Sequence, residues 1–204
     1  MQSNAKRIRT VLKNTKILLS ISAILIIILS VTDINWASTL ISVVWIFISI
    51  LWWAFDNYLW KVKWINKALS LNKELYCPKI SGRWEGALNR DGKDHKFVIE
   101  IKQTYTNISC TTYSTHGHSK SLCAELLYDQ QNDSYSLVYL WEGKTSKSPD
   151  GQDEPSNYFK GTTILTISDD CKSLIGSYFT DRRPKQTRGT ISLDNRQDVL
   201  KNAF

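Results

Sequence analysis

The chain has 204 residues, 26 Lys/Arg against 19 Asp/Glu, and a formal net charge of +7. Residues 1–76 hold 9 Lys/Arg and 3 Asp/Glu, a balance of +6; residues 77–204 hold the remaining 17 and 16, a balance of +1. The larger part therefore lacks the broad basic face that a general DNA- or RNA-binding domain needs, and the basic excess near the apolar segments fits attraction to anionic inner-leaflet lipid.

Lys6, Arg7, Arg9, Lys13 and Lys16 lead into two apolar runs, residues 17–31 and 36–55, separated only by Thr32, Asp33, Ile34 and Asn35. The second run is uncharged and matches a hydrocarbon core of about 30 Å. The first reaches span length if the stems of Lys13 and Lys16 snorkel at one end, or if Asp33 sits among headgroups at the other. A connection this short makes the two helices antiparallel, so a transmembrane hairpin is expected. Lys61, Lys63, Lys67 and Lys73 follow the second run, while the loop holds only Asp33. The positive-inside rule places both termini, and everything after the hairpin, in the cytoplasm. A signal peptide is the competing reading of the first run. No small-residue cleavage site follows it, and a second apolar run comes at once.

Small residues form narrow stripes on both runs: Ser20, Ala23, Ile27 and Ser30 on the first, Ser38, Ser42 and Ser49 on the second. Such stripes let membrane helices approach closely, either within one hairpin or between copies. Trp36, Trp52, Trp53, Tyr58, Trp60 and Trp64 suit the membrane interface. Residues 58–76 read as a basic amphipathic helix, ended by Cys77-Pro78. The expected organisation is a basic N-terminus (1–16), a hairpin (17–55), a linker helix (56–78), a β domain (79–194) and a tail (195–204).

From Lys79 the apolar period changes to two. Eight strand-like segments follow, near 81–90, 95–103, 107–114, 118–127, 134–142, 158–168, 173–182 and 187–193, mostly joined by short turns such as Arg90-Asp91-Gly92-Lys93. Short strands in meander order predict an eight-stranded antiparallel up-and-down barrel or a sandwich; a barrel of this size has room for one small ligand. Residues 143–157, rich in Ser, Pro and Asp, are long for a connection and suit a lid or binding loop. Alternation puts Ile99, Ile101 and Gln103 on one face, Tyr135, Leu137, Tyr139 and Trp141 on another, and Gly176, Tyr178, Thr180 and Arg182 on a third. The last two sets turn polar or aromatic toward one end, which predicts a packed end and a hydrogen-bonding end.

The four cysteines, Cys77, Cys110, Cys123 and Cys171, form no C-x-x-C pair, and free thiols are expected in a reducing compartment. His116-Gly117-His118 lacks Cys or carboxylate partners, so a turn is expected there and no metal. Gly82-x-Trp84-x-Gly86, with an arginine late in the last strands, is similar to the barrel lock of lipocalin-like proteins, in which Arg packs on a plugging Trp; a ligand role for Trp84 is the competing reading. Residues 176–193 read as a hairpin with Arg182, Arg183, Lys185 and Arg188 at its tip. Tyr178, Thr180 and Arg182 on one face suit a phosphorylated nucleotide, through stacking and bidentate donors. A solvated charged turn, facing water or anionic lipid, is the competing reading.

A membrane hairpin, a basic linker and a barrel that opens with Gly82-x-Trp84-x-Gly86 together resemble the two-transmembrane, β-strand-rich effectors of bacterial cyclic-oligonucleotide-based antiphage signalling (CBASS). Gly161-Thr162-Thr163-x-Leu165, Leu174-x-Gly176-x-Tyr178-x-Thr180-x-Arg182 and Gly189-x-Ile191-x-Leu193 carry the same likeness. The resemblance implies a barrel that binds a cyclic dinucleotide made by a partner nucleotidyltransferase. It also implies assembly on binding and disruption of the inner membrane. By that resemblance Tyr178, Thr180 and Arg182 are the ligand candidates, followed by Tyr139, Trp141, Tyr113 and Lys160. No cofactor is implied beyond the activating nucleotide. Two other classes stay open: a membrane-tethered, lipocalin-like binder of an apolar molecule, and a non-catalytic scaffold. No nucleophile elbow, zincin, P-loop or dinucleotide fingerprint occurs, so catalysis is not expected.

Overall fold

The computed structural model describes residues 35–114, 117–145, 158–181 and 186–201, with the side chains of 35–42, 144 and 145 set aside. The chain divides into a helical unit ending at Tyr76 and a β unit beginning at Cys77.

In the helical unit, α1 (Asn35–Asn57) covers the second apolar run. Val43, Val44, Ile46, Phe47, Ile50, Leu51 and Trp53 are all exposed. With Ile48 and Trp52, also exposed, these positions at 100° per residue lie all around the helix, unlike the single stripe of a helix lying on a soluble core. Among the described residues no helix is long and apolar enough to cross a membrane. The first apolar run and the connection through residue 34 lie outside the described residues, as do the side chains of Ser38 and Ser42. Ser49 Oγ donates to Trp45 O of its own helix, 2.8 Å away.

The single helix expected over 58–76 does not form. A 3₁₀ turn (Leu59–Lys61) precedes a short α2 (Lys63–Ser70). Val62, β-branched and extended at φ −68° and ψ 132°, separates the two. Beyond Ser70, Asn72 Oδ1 accepts the Glu74 N–H at 2.9 Å, a side-chain turn that competes with helix continuation.

The β unit is a closed antiparallel barrel in meander order: β1 (Gly82–Arg90), β2 (Lys93–Gln103), β3 (Ile108–Ser114), β4 (Gly117–Asp129), β5 (Ser134–Thr145), β6 (Tyr158–Ile167), β7 (Leu174–Thr180) and β8 (Arg188–Gln197). Closure by β1–β8 pairing removes both sheet edges. Asp91 and Gly92, at φ 53° and 76°, make the tight β1–β2 turn that Asp-Gly favours. The last strand continues to Gln197, four residues beyond the expected Leu193. A register shift between Glu85 and Gly86 lets Arg196 and Gln197 pair with Trp84 and Arg83. The polar run Asp194-Asn195-Arg196-Gln197 gives no apolar alternation by which to see this.

Candidate functional site

Strand direction defines two ends of the barrel. One end carries the link from Tyr76 and the turns at 103–108, 129–134 and 167–174. The other carries the connections β1–β2, β3–β4, β5–β6 and β7–β8. At the first end Trp84 is fully buried and Arg196 lies over its ring, 5.4 Å from the centroid. Gly82 and Gly86 permit the approach of β8. A Cβ on Gly86 would lie 2.1 Å from Ser192 O, and one on Gly82, at φ 132°, 2.6 Å from Gln197 O.

The inward side chains form layers that register sets. Nearest the closed end, Ile167, Leu174 and Leu193 lie in line; above them Leu126, Leu137, Leu165 and Ile191 do so. All are buried, and they fill this half of the barrel with apolar volume. The next layer changes character, aligning Tyr139, Thr163 and Tyr178 across β5, β6 and β7. The layer beyond aligns Trp141, Gly161 and Thr180. Toward the far end the interior is therefore aromatic and hydroxyl-bearing.

Trp141 is held from three sides. Its Nε1–H donates to Thr163 Oγ1 at 2.9 Å, and its ring meets Phe159 edge-on at 5.5 Å. Its indole lies where a Cβ on Gly161 would be, 2.3 Å from Cζ2. Glycine at 161 is thus the seat of the indole. Thr163 and Gly161 are site residues that side-chain chemistry alone does not mark; the signal is their register opposite Tyr139 and Trp141. Thr112 and Ser119, also buried, share a close hydroxyl–hydroxyl contact between β3 and β4.

Tyr139 is buried, and its hydroxyl has no hydrogen-bond partner of ordinary geometry among the described residues. Burial pushes its phenol well above the ordinary range, so it stays protonated. Tyr178 lies against the Cα of Gly189, where a Cβ would be 2.8 Å from the ring. Thr180 is committed to the base of the β7–β8 hairpin. Its Oγ1 is 2.7 Å from Thr187 Oγ1 and accepts the Thr187 N–H at 3.1 Å, while its N–H donates to Thr187 O at 2.9 Å.

Four of the seven ligand candidates, Tyr139, Trp141, Tyr178 and Thr180, are thus brought together in two adjoining inward layers. Two are not. Tyr113 is on the outer face of β3, paired with Val98 in register, and its phenol is raised by burial and by the Glu100 carboxylate. Lys160 is exposed on the outer face of β6, where its N–H donates to Asp181 Oδ1 at 2.7 Å. Alternation explains both: Thr112 and Gly161 occupy the inward positions next to them. Arg182, with Arg183 and Lys185, lies outside the described residues, as do His116 and residues 146–157 of the long loop. Among the described residues of the β7–β8 connection, Asp181 and Thr187 lie at the far end next to the Thr180 layer.

A second polar cluster sits on the outer wall. Arg83 is buried between two carboxylates, with Nε 2.7 Å from Glu85 Oε1 and Nη1 2.9 Å from Glu100 Oε1. Glu100 Oε1 also accepts the Lys201 N–H at 2.8 Å, which brings the C-terminal segment across β1 onto β2. The Arg83 hydrogen bond holds the Glu85 carboxyl below its usual range.

The family profile described as Cap15, cyclic dinucleotide receptor domain, matches residues 75–195, more than half of the chain. The chain belongs to the Cap15 family. It is similar to CD-NTase-associated protein 15 of Escherichia albertii, 28% identical over 153 residues, covering 72% of this chain and 75% of that protein. The protein of the same name from Yersinia aleksiciae is 25% identical over 158 residues, covering 76% of this chain and 70% of that one. The matched region spans β1 to β7 and most of β8. The family is one of CBASS effectors built on a β-barrel, and its receptor domain is a sensing rather than a known catalytic one.

Proposed function

We propose that this Cap15-family protein is a ligand-gated membrane effector of antiphage defence. The barrel takes a cyclic dinucleotide at its far end, copies then associate, and the hairpins breach the inner membrane. The observation that carries the reading is the layered interior: an apolar half plugged by Trp84, then aromatic and hydroxyl layers facing the end where β7 stops and β8 begins. Tyr139, Trp141 and Tyr178 supply ring faces and hydrogen-bonding groups for the bases, and Arg182 supplies bidentate donors for phosphate. The exposed apolar side chains around α1 between Val43 and Trp53 support the membrane role, because such a surface needs lipid or protein around it. In this reading both termini and the barrel are cytoplasmic, and a nucleotidyltransferase supplies the ligand.

Nucleotide can drive assembly only by binding the assembled state more tightly. Moving a two-state balance from 1:99 to 99:1 takes about 5.5 kcal/mol of such preference. Calorimetric titration of residues 77–204 with a panel of cyclic dinucleotides tests the site. At least one should bind, and Arg182→Ala should abolish binding without unfolding the barrel. Wild-type affinity in Arg182→Ala would remove Arg182 from the site, and no binding to any member of the panel would remove the reading itself.

A further inference from the structure

The five residues that lead into the barrel are in no helix or strand, yet Cys77, Pro78 and Ile80 are buried. Three side chains bind their backbone. Gln103 Oε1 accepts the Ile80 N–H at 2.9 Å and the Ser81 N–H at 3.1 Å. Gln103 Nε2 donates to Pro78 O at 2.9 Å and to Cys77 Sγ at 3.2 Å. Trp84 Nε1 donates to Ile80 O at 2.8 Å. Arg196 Nη1 donates to Lys79 O at 2.9 Å, and Nη2 to Ser81 O at 2.8 Å. Between Pro78 and Ser81, six backbone groups are thereby held, and the Gln103 carboxamide makes four hydrogen bonds, two through each of its polar atoms.

A tether has no need of this. An exposed, flexible segment joins two units equally well, and a buried carboxamide is worth keeping only when all its bonds are met. The barrel is already closed by β1–β8 pairing. The three side chains come from β2, β1 and β8, which are neighbours in the sheet and span the barrel between the far end and this one.

We propose that Gln103, Trp84 and Arg196 form a coupling clamp. It fixes the chain entering the barrel to three strands, so that a change in the barrel at its far end moves the point from which the chain leaves for the helical unit instead of being lost in a slack lead-in segment. Gln103 is the central positioning residue. This rests on the effector reading above and adds to it the route of the signal.

The experiment uses the full chain, expressed in cells supplied with a cyclic dinucleotide synthase, with growth as readout. Affinity for a panel of adenine- and guanine-containing cyclic dinucleotides and melting temperature are measured on the purified protein. The first variant inserts Gly-Gly between Tyr76 and Cys77, which leaves every bond of the clamp in place. It should bind nucleotide and melt as wild type does, and growth arrest should be lost. The second, Gln103→Leu, should lose growth arrest while Leu165→Val, matched to it in melting temperature, still arrests growth. Arrest at the wild-type level in the insertion variant overturns the proposal, because a slack joint would then suffice. Equal loss in Gln103→Leu and the matched control overturns it too, since loss of stability would be the whole effect. No arrest by the wild-type chain in the presence of nucleotide would instead refute the effector reading on which the clamp rests.

Discussion

At the scale of single residues, burial and hydrogen bonding decide what each group does. Trp84 is a fully buried plug whose Nε1–H is spent on Ile80 O and whose ring lies under Arg196. Trp84→Ala should cost about 3–5 kcal/mol, read as a lower urea midpoint of the β unit. Loss below about 1 kcal/mol would mean the closed end repacks without it. Glu85 behaves differently. Its folded pKa is depressed, first by the Arg83 hydrogen bond, so its contribution is present above the unfolded value of 4.5 and is lost as pH falls through the folded one. Urea midpoints from pH 7 to pH 3 should therefore fall below pH 4.5, and Glu85→Gln should flatten part of that fall. An unchanged profile in the variant would assign the acid sensitivity elsewhere. Burial also pushes the Cys110 thiol up to about 12. In the folded protein at pH 8, an alkylating reagent should modify exposed Cys123 and leave Cys110 and buried Cys77 unmodified, as mass spectrometry of the digested chain would show.

At the scale of elements, strand alternation was the readable signal. It set Tyr139 with Trp141, and Tyr178 with Thr180, on single faces, and those faces point inward. It did not reveal which face of an isolated strand points inward. Tyr113 and Lys160 are chemically suitable for a nucleotide but sit one residue away from inward Thr112 and Gly161. Parity along one strand has no sign until a neighbour is paired with it. Gly161 was legible as part of a family-like pattern, but its purpose was not, because that purpose is the volume of an indole on another strand. Gly161→Val should displace Trp141 and cost about 1–3 kcal/mol by overpacking. Trp fluorescence should shift with it, and an unshifted spectrum at wild-type stability would mean the indole is not seated there. The ends of elements were read least well. β8 gains Asp194–Gln197 through a register shift opposite Glu85 and Gly86, and the expected helix over 58–76 is broken at Val62. Both depend on pairing or local backbone geometry that hydrophobic period does not report.

At the scale of the whole molecule, the order of parts in the sequence was more informative than any one motif. Apolar runs, a basic linker and eight alternating segments suggested a membrane-anchored barrel, and the closed eight-stranded barrel and the Cap15 match follow for the second half. The proposed killing step belongs to the first half. Ser38→Leu, Ser42→Leu and Ser49→Leu together should weaken killing by crowding the close approach of helices, with nucleotide affinity unchanged. Full killing by the triple variant would limit the serines to a passive role. The most direct test is reconstitution of the full chain in sealed vesicles of inner-membrane lipid loaded with a self-quenched dye. Adding the cyclic dinucleotide that binds residues 77–204 should release dye from wild-type vesicles and leave Arg182→Ala vesicles sealed. Wild-type vesicles that stay sealed with nucleotide bound would contradict the account.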